Sequence, residues 1–282
     1  MCQRQWQSKP RKQKFIRKIW REYTYGRQTA KDLGKKYQRS RKWILQQLEN
    51  TDVGGNINTN IKPQPIVVVA DATYFSRQEG LLIFREPNLK QNLIWKKING
   101  ETIEEYHQLK IELEQNGFHI QAVILDGKPG IRGVFSDIPV QMCQFHQVAI
   151  IRRYVTGRPK VEATKELWII VRQLTKSDEK TFSKLLNDWL VKWGEFLKEK
   201  TINSYTGRWF YSHKRLRSAF RSLKTNLPYL FTYQKYPELH IPNTTNSLDG
   251  YNTTVKNFIR IHRGIRKEKR LKVLNHLLNS LP

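Results

Sequence analysis

Two aspartates, Asp71 and Asp126, each stand directly after a run of aliphatic residues: Ile66-Val67-Val68-Val69-Ala70 before the first, Ile120-Gln121-Ala122-Val123-Ile124-Leu125 before the second. Such runs read as buried strands. A carboxylate at the end of a buried strand is costly unless it binds something. Taken singly, each Asp reads better as the cap of a following turn. As a pair, and in this order, they favour metal ligation. If their strands are neighbours in one sheet, the two carboxylates converge at its edge, repel each other, and call for a shared divalent cation. Mg²⁺, or Mn²⁺, suits oxygen donors and phosphate substrates. Two such ions about 3.5–4 Å apart can activate a nucleophile and stabilise the leaving oxygen of a phosphodiester.

Cys143 and His146 form a Cys-x-x-His pair, which offers two zinc ligands. No second Cys or His pair stands at ligand spacing nearby, and His107, His119 and His213 are isolated in sequence. A structural role is therefore expected for the pair.

The elements that must position these residues follow from periodicity. Strands are predicted over 66–71, 80–84 and 93–98, with gaps short enough for hairpins. Thr102 caps a helix through Leu113, with Ile103, Tyr106, Leu109 and Leu113 on one face and Asn116-Gly117 as its stop. A fourth strand covers 120–125, a short helix 131–135, a fifth strand 140–145, and another helix begins near His146. Three meandering strands followed by alternation imply a mixed sheet covered by helices, a topology that resembles the ribonuclease H-like fold. The expected class is α/β. A helical insertion at about 157–235 is expected, with helices over 161–174, 180–199 and 208–223.

The charge points to a polyanion. Lys and Arg total 51 against 24 acidic residues, a net charge of +27, and such an excess is self-repelling unless DNA or RNA is bound. Residues 1–50 carry 15 of the basic residues and only Glu22, Asp32 and Glu49 as acids. Phe15, Ile16, Ile19, Trp20 and Tyr23 recur at helical spacing. Thr29 is placed to cap a short helix ending at Gly34, and a second helix is predicted from near Ser40. Ala30, Leu33, Tyr37, Trp43, Ile44 and Leu48 would form a small core. This is a helix-turn-helix pattern, an all-α DNA-binding domain over 1–50 with Arg39, Arg41 and Lys42 at the start of the recognition helix. Residues 51–64 are polar and rich in Gly and Asn, which is linker chemistry. A catalytic domain is expected over 65–282.

The chain resembles the Mutator-type (MULE-like) DDE transposases of bacterial insertion sequences. The likeness covers about residues 60–275. It rests on the strand ending in Asp71, on Leu125-Asp126-Gly127 with Gly130-Ile131-Arg132, on Cys143-Gln144-Phe145-His146, and on Thr244-Thr245-Asn246-Ser247-Leu248-Asp249. The resemblance implies a third catalytic acid at Asp249, where the family usually carries Glu; Glu238 is a rival outside the motif, beside Pro237. It also implies that Cys143 and His146 lie near the active site and orient the second acid or its helix. The implied activity is Mg²⁺- or Mn²⁺-dependent hydrolysis and 3′-OH strand transfer, with two ions held by Asp71, Asp126 and Asp249. The implied partners are terminal inverted repeats and target DNA, with a homo-oligomer assembled on them. Lys256, Arg260, His262, Arg263, Arg266, Lys267, Lys269, Arg270 and Lys272 face one acid, Glu268; Arg263, Arg266 and Lys267 are singled out as phosphate contacts.

Two readings compete with this one. A decayed or domesticated relative would bind DNA specifically without cutting it, and a nuclease of the same fold would cut without joining. Only Cys2 and Cys143 are present, so no disulfide framework is expected and a reducing compartment fits. No run reaches the roughly 18 apolar residues of a membrane span. The expected location is the cytoplasm, on the bacterial nucleoid.

Overall fold

The computed structural model describes residues 8–24, 26, 28–50, 56–262, 265 and 267–280. It opens with three helices, α1 (Ser8–Thr24), α2 (Ala30–Lys36) and α3 (Arg41–Asn50). Thr29 caps α2 as the sequence implies: its hydroxyl accepts from Asp32 N, while Asp32 accepts from Thr29 N in a reciprocal capping box. The helix runs two residues past Gly34, the predicted stop. Gly34 serves packing instead, because a Cβ there would lie 2.7 Å from the Arg39 carbonyl oxygen. The chain turns at Gln38, whose φ is +51°. Ser40 Oγ then accepts from Trp43 N at the start of α3.

The central sheet contains β1 (Pro65–Ser76), β2 (Glu79–Glu86), β3 (Gln91–Ile98), β4 (His119–Leu125) and β5 (Val140–Met142). Their spatial order is β3-β2-β1-β4-β5, with β1, β2 and β3 antiparallel and β4 and β5 parallel to β1. This is the mixed five-stranded ribonuclease H-like sheet. Between β3 and β4 runs α4 (Ile103–Gln115), capped at Thr102 and stopped at Asn116 and Gly117, the latter with φ +85°. Residues Ile131–Phe135 form a 3₁₀ turn.

Side-chain alternation sends successive strand residues to opposite faces. Ile66, Val68 and Ala70 pack with α4 and the 3₁₀ turn. Val67, Val69, Ala122 and Ile124 pack on the other face, against two C-terminal helices, α10 (Asn246–Ile261) and α11 (Lys267–Ser280). The same apolar cluster takes in Ile19, Trp20, Tyr23, Leu33 and Ile44 of the N-terminal helices. Tyr23 and Trp20 pack at a tilt against His262 and His276, with ring centroids 4.2 and 4.4 Å apart. The N-terminal helices are thus docked on the C-terminal ones. Residues 51–55 of the segment read as a linker lie outside the described residues. Its remainder is fastened to the β3 edge: Asn58 N donates to Leu93 O at 2.8 Å, and Trp95 N to Asn56 O at 2.9 Å.

The fifth strand ends at Met142 rather than 145, because Cys143 is already the N-cap of α5 (Gln144–Val155). The insertion contains α6 (Glu162–Val171), α7 (Glu179–Lys198), α8 (Lys214–Leu230) and the short α9 (Thr232–Lys235). The predicted helix from 208 begins only at Lys214. Residues before it form a hairpin of β6 (Lys200–Ile202) and β7 (Trp209–Tyr211).

Candidate active site

Asp71 lies within β1, not at its end. The strand runs on to Ser76 because β2 continues to pair with it, Asp71 opposite Ile83. On its other side the parallel partner has run out: the last β1–β4 pair is Val69 with Ile124. Asp71 therefore occupies the point where β1 loses one neighbour. It has the parity of Val67 and Val69, so its side chain faces α10. Asp126 directly follows β4 and shares the parity of Ala122 and Ile124. Its carboxylate accepts from Lys128 N at 2.9 Å. The intervening Gly127 takes φ +93°, and a Cβ there would stand 2.2 Å from Met142 Cε. The turn after the second acid therefore requires glycine.

Asp249 sits in the first turn of α10. One turn on, Asn252 Nδ2 donates to Asp71 Oδ2 at 2.9 Å. Burial, then the charges of Asp126 and Asp249, push the Asp71 carboxyl up to about 7, while His146 acts in the opposite direction. Glu238, the rival acid, is exposed in a 3₁₀ turn.

The Cys-x-x-His and Thr-Thr-Asn segments meet at Thr245, which is fully buried. Thr245 N donates to Cys143 Sγ at 3.3 Å. The Thr245 hydroxyl donates to Asp249 Oδ2 at 3.0 Å and lies 3.4 Å from both Cys143 Sγ and His146 Nδ1. Gln144 N donates to Asn243 O at 3.0 Å, and Asn243 Nδ2 returns a bond to Gln144 Oε1. The hydrogen bond with Cys143 outweighs the burial that opposes it and raises His146 to about 9. Burial works against a Cys143 thiolate, but bonds from His146 and Thr245 prevail and lower its pKa. The pair is thus bonded toward the third acid; the second is held by its own turn.

The donor set of the three acids is all oxygen, which suits a hard divalent cation. Asn252 Oδ1 is buried with no partner, on the amide whose nitrogen bonds Asp71. The mutual repulsion at Asp71 is what a cation would relieve. Among the described residues, no group of three or more His, Cys, Asp or Glu side chains is disposed to hold a single metal ion. The acids are electrically coupled without forming a closed cage.

Among solved structures, the Drosophila P element transposase strand transfer complex is similar to this chain, with 13% sequence identity, a TM-score of 0.35, and coverage of 94% of this chain and 77% of that one. A superposition this loose carries no residue-by-residue correspondence. No protein-family model and no curated protein matches the sequence. The Mutator-type resemblance therefore rests on the motifs alone.

The predicted DNA-contacting residues of the N-terminal helices are together and exposed. Arg39 lies over the Trp43 ring at 5.4 Å, and Arg41 and Lys42 open α3. Arg263 and Arg266 lie outside the described residues, as does the side chain of Lys267, whose backbone begins α11. No helix among the described residues is long and apolar enough to cross a membrane. Sequence reasoning missed Thr245 and Asn252 as site residues. The available signal was helical spacing: Asn252 stands three residues after Asp249, on the same face of the helix.

Proposed function

We propose that this chain is a DNA transposase of the DDE type, related to the Mutator-like elements. Its N-terminal domain, residues 1–50, recognises terminal inverted repeats, and residues 65–282 carry the chemistry. The observation that carries the reading is geometric: Asp71 stands on β1 beside β4, which leads directly into Asp126, and is bonded by Asn252 of α10, one turn after Asp249. Strand order supports it, since β1 and β4 are neighbours and bring the first two acids to one edge.

Asp71, Asp126 and Asp249, drawn closer together than they stand here, would hold divalent ions, Mg²⁺ or Mn²⁺, which would supply Lewis acidity to the attacking and leaving oxygens. The chain's own residues do the positioning. Asn252 orients the Asp71 carboxylate, Thr245 orients Asp249, and the protonated His146 offsets part of the acids' negative charge. Arg39, Arg41 and Lys42 meet the duplex at the recognition helix, and Arg263, Arg266 and Lys267 are assigned further phosphate contacts. Because the substrate is a long polymer, an open sheet edge suits it. The cavity of about 480 Å³ lined by Tyr23, Arg41, His262 and Lys272 lies instead between the N- and C-terminal helices.

The test is strand transfer with terminal-repeat DNA in Mg²⁺ or Mn²⁺. The reading requires joined products that vanish in Asp71→Ala and Asp126→Ala. Specific binding without cleavage would make the chain a DNA-binding protein only, and cleavage without joining or repeat preference would make it a nuclease. Mass measurement on repeat DNA tests the expected homo-oligomer.

A further inference from the structure

The hairpin β6–β7 of the insertion presents large apolar side chains to solvent. Tyr205 is 97% exposed, Ile202 69% and Trp209 56%. Large side chains in the open on a basic protein call for a partner. The hairpin is also built to hold them. Asn203 Oδ1 accepts from Tyr205 N and Thr206 N, Gly207 N donates to Asn203 O, and Asn203 N donates to Arg208 O. The tip is thus a fixed turn that carries Tyr205 outward.

Each aromatic of β7 has a cation over its ring. Lys200 Nζ is 4.1 Å from the Trp209 centroid, Lys214 Nζ 4.2 Å from Phe210, and the Arg217 guanidinium 3.6 Å from Tyr211. From 198 to 217 the chain has Lys198, Lys200, Arg208, Lys214, Arg215 and Arg217 against one acid, Glu199, and Glu199 is paired with His213 at 2.9 Å. Rings interleaved with cations fit one chemistry well: bases stack on the rings while phosphates meet the ammonium and guanidinium groups. A base buried in a duplex offers no face for this, so the fitting occupant is unpaired.

We propose that the β6–β7 hairpin is a stacking surface for unpaired DNA bases, with Tyr205 and Trp209 as its platforms. This rests on the reading of the chain as a DNA-acting protein but assigns the insertion a task separate from repeat recognition and from the acids. Such bases arise wherever a duplex is opened or distorted next to a cut.

The test uses the full chain with a labelled oligothymidylate and, separately, a terminal-repeat duplex. Tyr205→Ala and Trp209→Ala should each weaken oligothymidylate binding about ten-fold, with duplex binding and melting temperature unchanged. Trp209→Phe should keep the affinity and lose part of the tryptophan quenching that accompanies binding. Unchanged oligothymidylate affinity in both alanine variants overturns the proposal. So does an equal loss on single strand and duplex, which would reflect charge alone. A DNA-free oligomer that dissociates on Trp209→Ala would also overturn it, assigning the hairpin to a second copy of this chain. Arg41→Ala should weaken repeat binding and leave oligothymidylate binding intact; loss of both would overturn the separate task assigned to the hairpin.

Discussion

The side-chain amide of Asn252 is bonded to the carboxylate of Asp71 at 2.9 Å, tying α10 to the central strand of the sheet. These two residues are 181 positions apart in sequence. The bond sets where α10 lies over β1, and therefore where Asp249, one turn earlier on that helix, delivers its carboxylate. A single neutral donor holds the most crowded acid of the group without adding a competing positive charge.

Replacing Asn252 with alanine should therefore loosen the helix as well as the acid. A hydrogen bond to a charged group contributes about 1.5–3 kcal/mol, so calorimetry should record a lower melting temperature. Cleavage should fall more than binding to terminal-repeat DNA. Equal melting temperature and equal cleavage would show that α10 is placed without this contact.

Asp71→Asn should stabilise the fold in a pH-dependent way. The folded carboxyl titrates at about 7, above its ordinary 3.8. Near pH 4 and below, both folded and unfolded chains hold the proton, and the substitution changes little. As pH rises from there to about 7, the unfolded chain releases a proton that the folded one retains, and wild type loses stability. The asparagine variant's advantage should thus grow across this window and level off above it, at roughly 2–4 kcal/mol. Mg²⁺ at pH 8 should raise the melting temperature of wild type and leave the variant nearly unmoved. A flat difference across pH would remove the case for a strained acid at this position.

Much of the frame around the candidate acids was legible from the chain. The runs before Asp71 and Asp126 give the two strands, and Thr102 with Asn116-Gly117 brackets α4 as its spacing predicts. Asp71 was read as a strand end because the apolar run stops there. The strand continues only because β2 goes on pairing with it, a partner that its own residues do not reveal. Residues 208–211 are predicted as the start of a helix and 200–207 as the connection before it, whereas 200–211 hold the β6–β7 hairpin. Their β-branched and aromatic flanks around Asn203 and Gly207 carry a hairpin signal that the long amphipathic pattern on either side obscured. The contacts of Thr245 could not be read in advance, since they depend on how α5 and α10 meet.

Thr245→Val tests that junction. Valine keeps the volume and removes the hydroxyl that joins Asp249 to Cys143 and His146. Strand transfer should drop about ten-fold or more, in keeping with the effect of removing an outer partner of a ligand. Thr245→Ser, which keeps the oxygen, should restore most of it. The pH profile should also change. The hydrogen bond with Cys143 holds His146 protonated to about 9, and the Thr245 hydroxyl is one of the groups that favour the Cys143 thiolate; stability from the imidazolium is complete below about 6.5 and lost as pH passes 9. In the valine variant the alkaline loss should begin at lower pH. A serine variant as impaired as valine would point to packing instead of the hydroxyl.

Gly34→Ala separates DNA recognition from the acidic site. Alanine favours a helix over glycine by about 0.8–1.0 kcal/mol, so an exposed glycine of α2 would be stabilised by the change. Gly34 is buried, and the new methyl would stand 2.7 Å from the Arg39 carbonyl oxygen, a backbone atom unable to swing aside as a side chain would. Overpacking of this kind costs about 1–3 kcal/mol, so the steric cost outweighs the propensity gain. Relief requires the turn before α3 to shift, carrying Arg39, Arg41 and Lys42 with it. Terminal-repeat binding should weaken, with the melting temperature slightly lowered. Oligothymidylate binding should stay at the wild-type level, because the β6–β7 hairpin lies on the insertion. Unaltered repeat binding would mean that α3 is not the recognition helix.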